Sequence, residues 1–130
     1  MFLIATLALA ALQADSGCKD PKSQHEMNAC AYGDYERADA AMTRQWKPLL
    51  AKMKERDKDF EPDGDSRSSY VDALLESQRA WLKFRDAHCV AEGYFARGGS
   101  MEPMVVGNCL EHLTVDRTKQ LHDLLEMFEL

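Results

Sequence analysis

Apolar residues recur at helical spacing in three stretches of this chain, and two polar breaks separate them. The first stretch carries Met27, Ala31, Ala38, Met42, Trp46, Leu49 and Met53, which follow a helical period. Ser23-Gln24-His25-Glu26 precedes it as a capping box, in which the Ser hydroxyl and the Glu carboxylate each satisfy a free backbone amide. Pro48 removes one backbone hydrogen bond and clashes with the Arg44 carbonyl, so a kink is expected there. The second stretch opens on Ser69-Tyr70-Val71-Asp72, another capping signature. It aligns Val71, Leu74, Leu75, Gln78, Trp81, Leu82, Arg85 and Cys89 in one stripe. The third presents Val106, Leu110, Leu113, Leu121, Leu124 and Phe128. Ser100 is its expected cap and Pro103 falls in its first turn, where a missing N–H costs little. Gly107 lies inside this helix at a cost of about 1 kcal/mol relative to Ala.

The breaks cover residues 57–66, with the turn-forming Glu61-Pro62-Asp63-Gly64-Asp65, and Arg97-Gly98-Gly99-Ser100. Short loops join neighbouring helices antiparallel. The predicted fold is therefore all-α: a small antiparallel three-helix bundle, one domain over residues 15–130.

Ahead of the bundle, residues 2–12 form an apolar run broken only by Thr6. That length suits a signal peptide and is too short to span a bilayer. Ala14 is a small residue at the expected cleavage point, so residues 1–14 read as a signal peptide. No Lys or Arg precedes the run, and Leu12 is bulky for its place. Cys18 after Ser16-Gly17 would permit a lipid-modified start, but Asp15 stands where such a signal wants an aliphatic residue. The chain is thus expected to be periplasmic or secreted, with no membrane span after signal cleavage.

Export changes the meaning of the cysteines. Cys18, Cys30, Cys89 and Cys109 all lie beyond the leader, and an even count in an exported chain reads as two disulfides. An up-down-up bundle gathers all four at one end, so geometry leaves the three connectivities open. Proximity in sequence favours Cys18–Cys30 and Cys89–Cys109. Each bridge closes a loop worth roughly 3 kcal/mol in the chain-entropy model.

Two polar residues, Gln78 and Arg85, interrupt the inward stripe of the second helix. A buried guanidinium needs partners, because an unpaired buried charge is costly. Asp39 on the first helix and Thr114 on the third are the candidates. With Asp86 and Arg117 they form the expected buried polar network, either fixing helix register or lining a small-ligand cleft.

Other chemistry finds little footing. His25, His88, His112 and His122 include no pair four residues apart. His88 and Cys89, as helix neighbours, point about 100° apart and do not readily share an ion, so no metal and no cofactor is expected. There is no Gly-x-Ser-x-Gly, bridged cysteines are not nucleophiles, and Gly98-Gly99 is too short for a phosphate loop. The expectation is a protein that is not an enzyme. Its formal net charge of −6 repels nucleic acid and suits a basic partner, although the same charge serves solubility.

Several blocks together resemble a known family. They are Met27-Asn28-Ala29-Cys30-Ala31, Ala38-Asp39, the run from Gln78-Arg79-Ala80-Trp81 to Arg85-Asp86-Ala87-His88-Cys89, Gly98-Gly99-Ser100, and Cys109 with Leu113-Thr114 and Arg117. In this order and spacing they are similar to the LprI-like lysozyme-inhibitor family of small exported bacterial proteins. Where that family usually has Leu-Asn and then Tyr, this chain has Met42-Thr43 and Trp46. The resemblance implies an exported helical protein that binds lysozyme or another basic envelope protein. Two exposed loops, residues 57–67 and Arg97-Gly98-Gly99-Ser100, are the candidate contact elements. A non-inhibitory structural or assembly protein of the envelope and a small-ligand carrier are the competing readings.

Overall fold

The computed structural model describes residues 16–61 and 64–130. The expected leader, and Pro62 and Asp63 in the first break, lie outside that description. Helix α1 spans Gln24–Asp59, α2 spans Tyr70–Gly93 and α3 spans Glu102–Glu129, with short 3-10 turns at Ser16–Lys19 and Tyr94–Ala96. There is no strand among the described residues, and the fold is the all-α three-helix bundle. Helices α1 and α3 run in the same direction. Gln24 Nε2 meets Met104 Sδ at 3.7 Å near one end, and Arg56 Nη2 donates to the Phe128 carbonyl at 2.8 Å near the other. Helix α2 runs between them in the opposite sense.

The helix ends follow from local chemistry. Ser23 Oγ accepts from the Glu26 amide at 3.1 Å, while the Glu26 carboxylate reaches back to the Lys22 amide. Ser69 Oγ accepts from the Asp72 amide at 3.0 Å. The Asp57 carboxylate adds two more caps to α2, accepting from the Tyr70 and Val71 amides at 2.8 and 3.1 Å. An acid in the last turn of α1 thus neutralises the free amides that open α2. Helix α1 continues through Pro48 to Asp59. The expected Ser100 cap does not form. Met101 occupies the cap position of α3 without a side-chain hydrogen bond, and the Glu102 carboxylate accepts from the Gly98 amide instead. Pro103 does sit in the first turn.

The core is built from Met42, Leu49 and Met53 of α1, Leu74 of α2 and Leu121 of α3, with Trp46, Trp81 and Leu124 packed around them. At the end remote from the cysteines, Tyr70 makes edge contacts with Phe60 and Phe128 at ring separations of 5.6 and 6.0 Å. The buried line of α3 differs from the apolar face read in its sequence. Gly107, Cys109, Thr114 and Leu121 are buried, whereas Val106, Leu110 and Leu113 are only half-buried. The reason is steric. A Cβ on Gly107 would stand 3.0 Å from the Ala31 Cβ and 3.1–3.2 Å from the backbone of Ala31 and Tyr32. Small residues on both helices let α1 and α3 approach backbone to backbone, and that approach sets the rotation of α3.

The helical cost of Gly107 is therefore offset by packing. Gly107→Ala gains about 1 kcal/mol of helix propensity but overpacks a contact whose near atoms include rigid backbone, a penalty of about 1–3 kcal/mol. Net destabilisation of about 1 kcal/mol is expected in urea unfolding, where propensity alone forecasts stabilisation.

All four cysteines are paired: Cys18 with Cys30, Cα atoms 5.4 Å apart, and Cys89 with Cys109, 5.5 Å apart. The first bridge folds the N-terminal 3-10 turn back along α1. The second ties the end of α2 to the start of α3.

Candidate functional site

Beneath the cysteine-rich end, Arg85 occupies the middle of the bundle with its side chain 7% exposed. Its Nε donates to Asp86 Oδ1 at 3.0 Å and its Nη1 to Thr114 Oγ1 at 3.3 Å. Asp39 Oδ1 on α1 stands 3.5 Å from Nη1. One guanidinium thus engages all three helices. Two aromatic rings complete its surroundings, with the Tyr35 and Trp81 centroids 5.3 and 5.2 Å from the guanidinium carbon, within cation–π range. Burial pushes the Tyr35 phenol above its ordinary pKa, against the lowering field of Arg85.

Two turns earlier on α2, Gln78 joins a second group. Its Oε1 accepts from Arg117 Nε at 3.0 Å, and its amide nitrogen approaches Met42 Sδ at 3.6 Å. Arg117 also donates to Ser77 Oγ at 2.9 Å and Gln120 Oε1 at 3.1 Å. Its guanidinium carbon lies 5.8 Å from the Trp81 ring, and burial lowers its pKa. Trp81 is therefore shared by two cations, Arg85 and Arg117. The six polar residues singled out in the sequence fall into two adjoining groups: Arg85 with Asp39, Asp86 and Thr114, and Gln78 with Arg117. Every buried side-chain polar atom among the described residues has a hydrogen-bond partner. The Nε and Nη1 donors of Arg85 already point at protein acceptors, an arrangement suited to fixing helix register.

The Arg97-Gly98-Gly99-Ser100 loop sits at the cysteine end and is tightly held. Gly98 adopts φ +77°, a conformation that favours glycine. The Gly99 amide donates to the Ala96 carbonyl at 2.9 Å, and Asn28 Nδ2 on α1 donates to the Ser100 carbonyl at 2.9 Å. Arg97 lies over the Tyr94 ring at 4.3 Å. Beside this fixed loop, Tyr94 is half-exposed and Phe95 is 85% exposed. Tyr35, Trp81 and Phe95 have no chemical motif in the sequence that marks them as site residues, although Phe95, just past the end of α2, stands off that helix's inward stripe.

The second candidate loop is partly described. Arg67 forms a two-pronged pair with Asp65, whose carboxyl falls to about 2, chiefly through the Arg67 side-chain hydrogen bond. An open groove of about 670 Å³ lies here, between Phe60, Tyr70 and Arg67. Its Asp57 carboxylate already caps α2, so the groove's principal acid is committed to structure. At the other end, His88, Glu92 and Cys109 bring ligand atoms within 4.8 Å of one another. The Cys109 sulfur is in a disulfide and is no thiolate, so the trio lacks the anionic sulfur a metal would need.

Residues 16–121 match the protein family described as lysozyme inhibitor LprI. An uncharacterized protein of Rhizobium meliloti (strain 1021) is 39% identical over 132 aligned residues, covering 99% of this chain and 93% of the relative. No solved structure matches the chain.

Proposed function

Because the chain belongs to the LprI lysozyme-inhibitor family, we propose that it is an exported binding module that blocks a basic cell-wall hydrolase by occupying it. The family match over residues 16–121 carries this reading. Two disulfides suit an oxidising compartment outside the cytoplasm. No described helix is long and apolar enough to cross a membrane.

The contact element is the loop Arg97–Ser100 with its aromatic neighbours. A loop fixed by Asn28, Glu102 and a positive-φ glycine loses little conformational entropy on docking. Tyr, Phe and Arg side chains standing clear of the surface are the residue types that dominate interface energetics. The net charge of −6 steers a cationic partner toward the molecule. Binding of the oxidised protein to a cationic lysozyme, followed on a sensor surface, tests this. Raising salt from low to physiological should slow association and leave dissociation nearly unchanged. Salt-independent association would remove the electrostatic part of the proposal.

A further inference from the structure

The group of His88, Glu92 and Cys109 falls short of a metal site in one respect, the oxidation state of its sulfur. His88 and Glu92 are one turn apart on α2, with Nε2 and Oε1 3.1 Å from each other. Cys109 Sγ reaches them from α3, and the three ligand atoms lie within 4.8 Å of one another. The sequence holds no histidine pair four residues apart. The structure instead joins a histidine to a carboxylate four residues on and to a sulfur from the neighbouring helix. Imidazole, carboxylate and thiolate are the donors of zinc-class sites.

We propose that the chain with Cys89–Cys109 reduced binds one zinc-class divalent cation through His88 Nε2, a Glu92 carboxylate oxygen and the Cys109 thiolate, with water in the fourth position. A four-coordinate ion holds such donors about 3.3–3.6 Å apart. His88 and Glu92 are already near that separation, and a shift of about 1 Å closes on Cys109. Their side chains are 42% and 51% exposed, so they are free to make it, while Cys109 is buried. The His88 ring is steadied by stacking on Phe84 at 5.3 Å. Cys89 follows His88 on α2, projects about 100° away from it and stays outside the ligand set. The site uses none of the residues assigned to hydrolase contact.

The bridge itself is made from two thiols, so the reduced chain is its precursor. In that state the cation links the last turns of α2 to the start of α3, as the bridge does afterwards. Oxidation needs a disulfide-bearing donor of the thiol–disulfide oxidoreductase class. The Cys89 and Cys109 sulfurs bond to each other and give up two electrons, and the donor's S–S bond breaks. The donor takes the Cys89 proton and one proton from solvent, leaves as a dithiol, and the cation is released.

The Cys89→Ser chain tests the site, because it keeps Cys18–Cys30 bridged and leaves Cys109 as its one thiol without added reductant. Titrated with Co2+, it should bind one ion per chain, with thiolate-to-cobalt charge-transfer absorption and the intense d–d bands of a four-coordinate ion. His88→Ala and Glu92→Gln, each added to Cys89→Ser, should weaken binding by at least about tenfold, the lower end of what even outer-sphere partners contribute. His112→Ala should leave it unchanged, because His112 is turned to Asp116 at 3.6 Å. Zn2+ should displace Co2+ and raise the urea midpoint of Cys89→Ser. Circular dichroism checks each fold. If Cys89→Ser does not fold, the Cys18→Ser/Cys30→Ser chain, kept reduced by a phosphine, takes the same titration. No charge-transfer band at millimolar Co2+ overturns the proposal. So does a band that survives both ligand substitutions, or one that depends on His112 instead of His88.

Discussion

Arg85→Ala is expected to lower the unfolding free energy by about 2–4 kcal/mol. Three effects add. The aliphatic stem and guanidinium packed against Tyr35 and Trp81 are replaced by a cavity, as in other large-to-small core changes. The Thr114 hydroxyl, fully buried, loses its charged donor. Asp39 and Asp86 lose their cation. Their side chains are 45% and 64% exposed, so water rehydrates them. The full 3–5 kcal/mol of stranding a buried charge is therefore not reached. Arg85→Met keeps most of the volume between the two rings and should cost less than about 2 kcal/mol. Urea unfolding followed by tryptophan fluorescence reads both. A loss below about 1 kcal/mol for Arg85→Ala would place the residue with ordinary surface pairs and contradict its burial.

The two disulfides should contribute unequally. Replacing Cys89 and Cys109 by Ser is expected to cost about 3 kcal/mol, because the bridge joins two helices and closes a loop with a sequence separation of 20. Replacing Cys18 and Cys30 should cost clearly less. That bridge holds the Ser16–Lys19 turn, which packs against α1 among the described residues, so its loss frees a peripheral segment and leaves the three-helix core intact. Parallel urea titrations of the two double variants settle the order. Equal losses would mean that the N-terminal turn is part of the cooperative unit.

Much of this architecture was legible because local signals and the global fold agree. The Ser23 and Ser69 caps, the Gly-Gly break and the helical spacing of Met42, Leu49 and Leu74 each point to the same three helices. Arg85 within an apolar stripe announced a polar core, since a buried cation must find partners on neighbouring helices. What could not be read were properties of pairs of helices. The value of Gly107 depends on Ala31 lying across from it, and sequence spacing alone makes it look like a defect. The rotation of α3 follows from that contact, which is why Thr114 is buried and Leu113 is not. Ser100 is a good cap by type, yet α3 starts after Met101, because the Ser100 carbonyl is held by Asn28 and the loop is closed by Glu102.

The motif residues that carry the resemblance acquire a physical meaning from these contacts. Asn28 pins the loop, Cys30 and Cys89 are bridged, and Asp39, Gln78 and Arg85 join the helices. They hold the scaffold together. On the proposed function, partner contact falls to residues outside that network, such as Tyr94, Phe95 and Arg97 beside the loop held by Asn28 and Glu102.

Inhibition itself is the most direct test of the functional account. The oxidised protein should be titrated against a cationic lysozyme in a cell-wall lysis assay, beside an Arg97→Ala variant of unchanged helicity. The account predicts stoichiometric inhibition by the wild-type chain and an inhibition constant raised about tenfold by Arg97→Ala. An equally potent variant would move the contact to another surface. Undiminished lysis at micromolar wild-type protein, with both disulfides intact, would contradict the inhibitor reading outright.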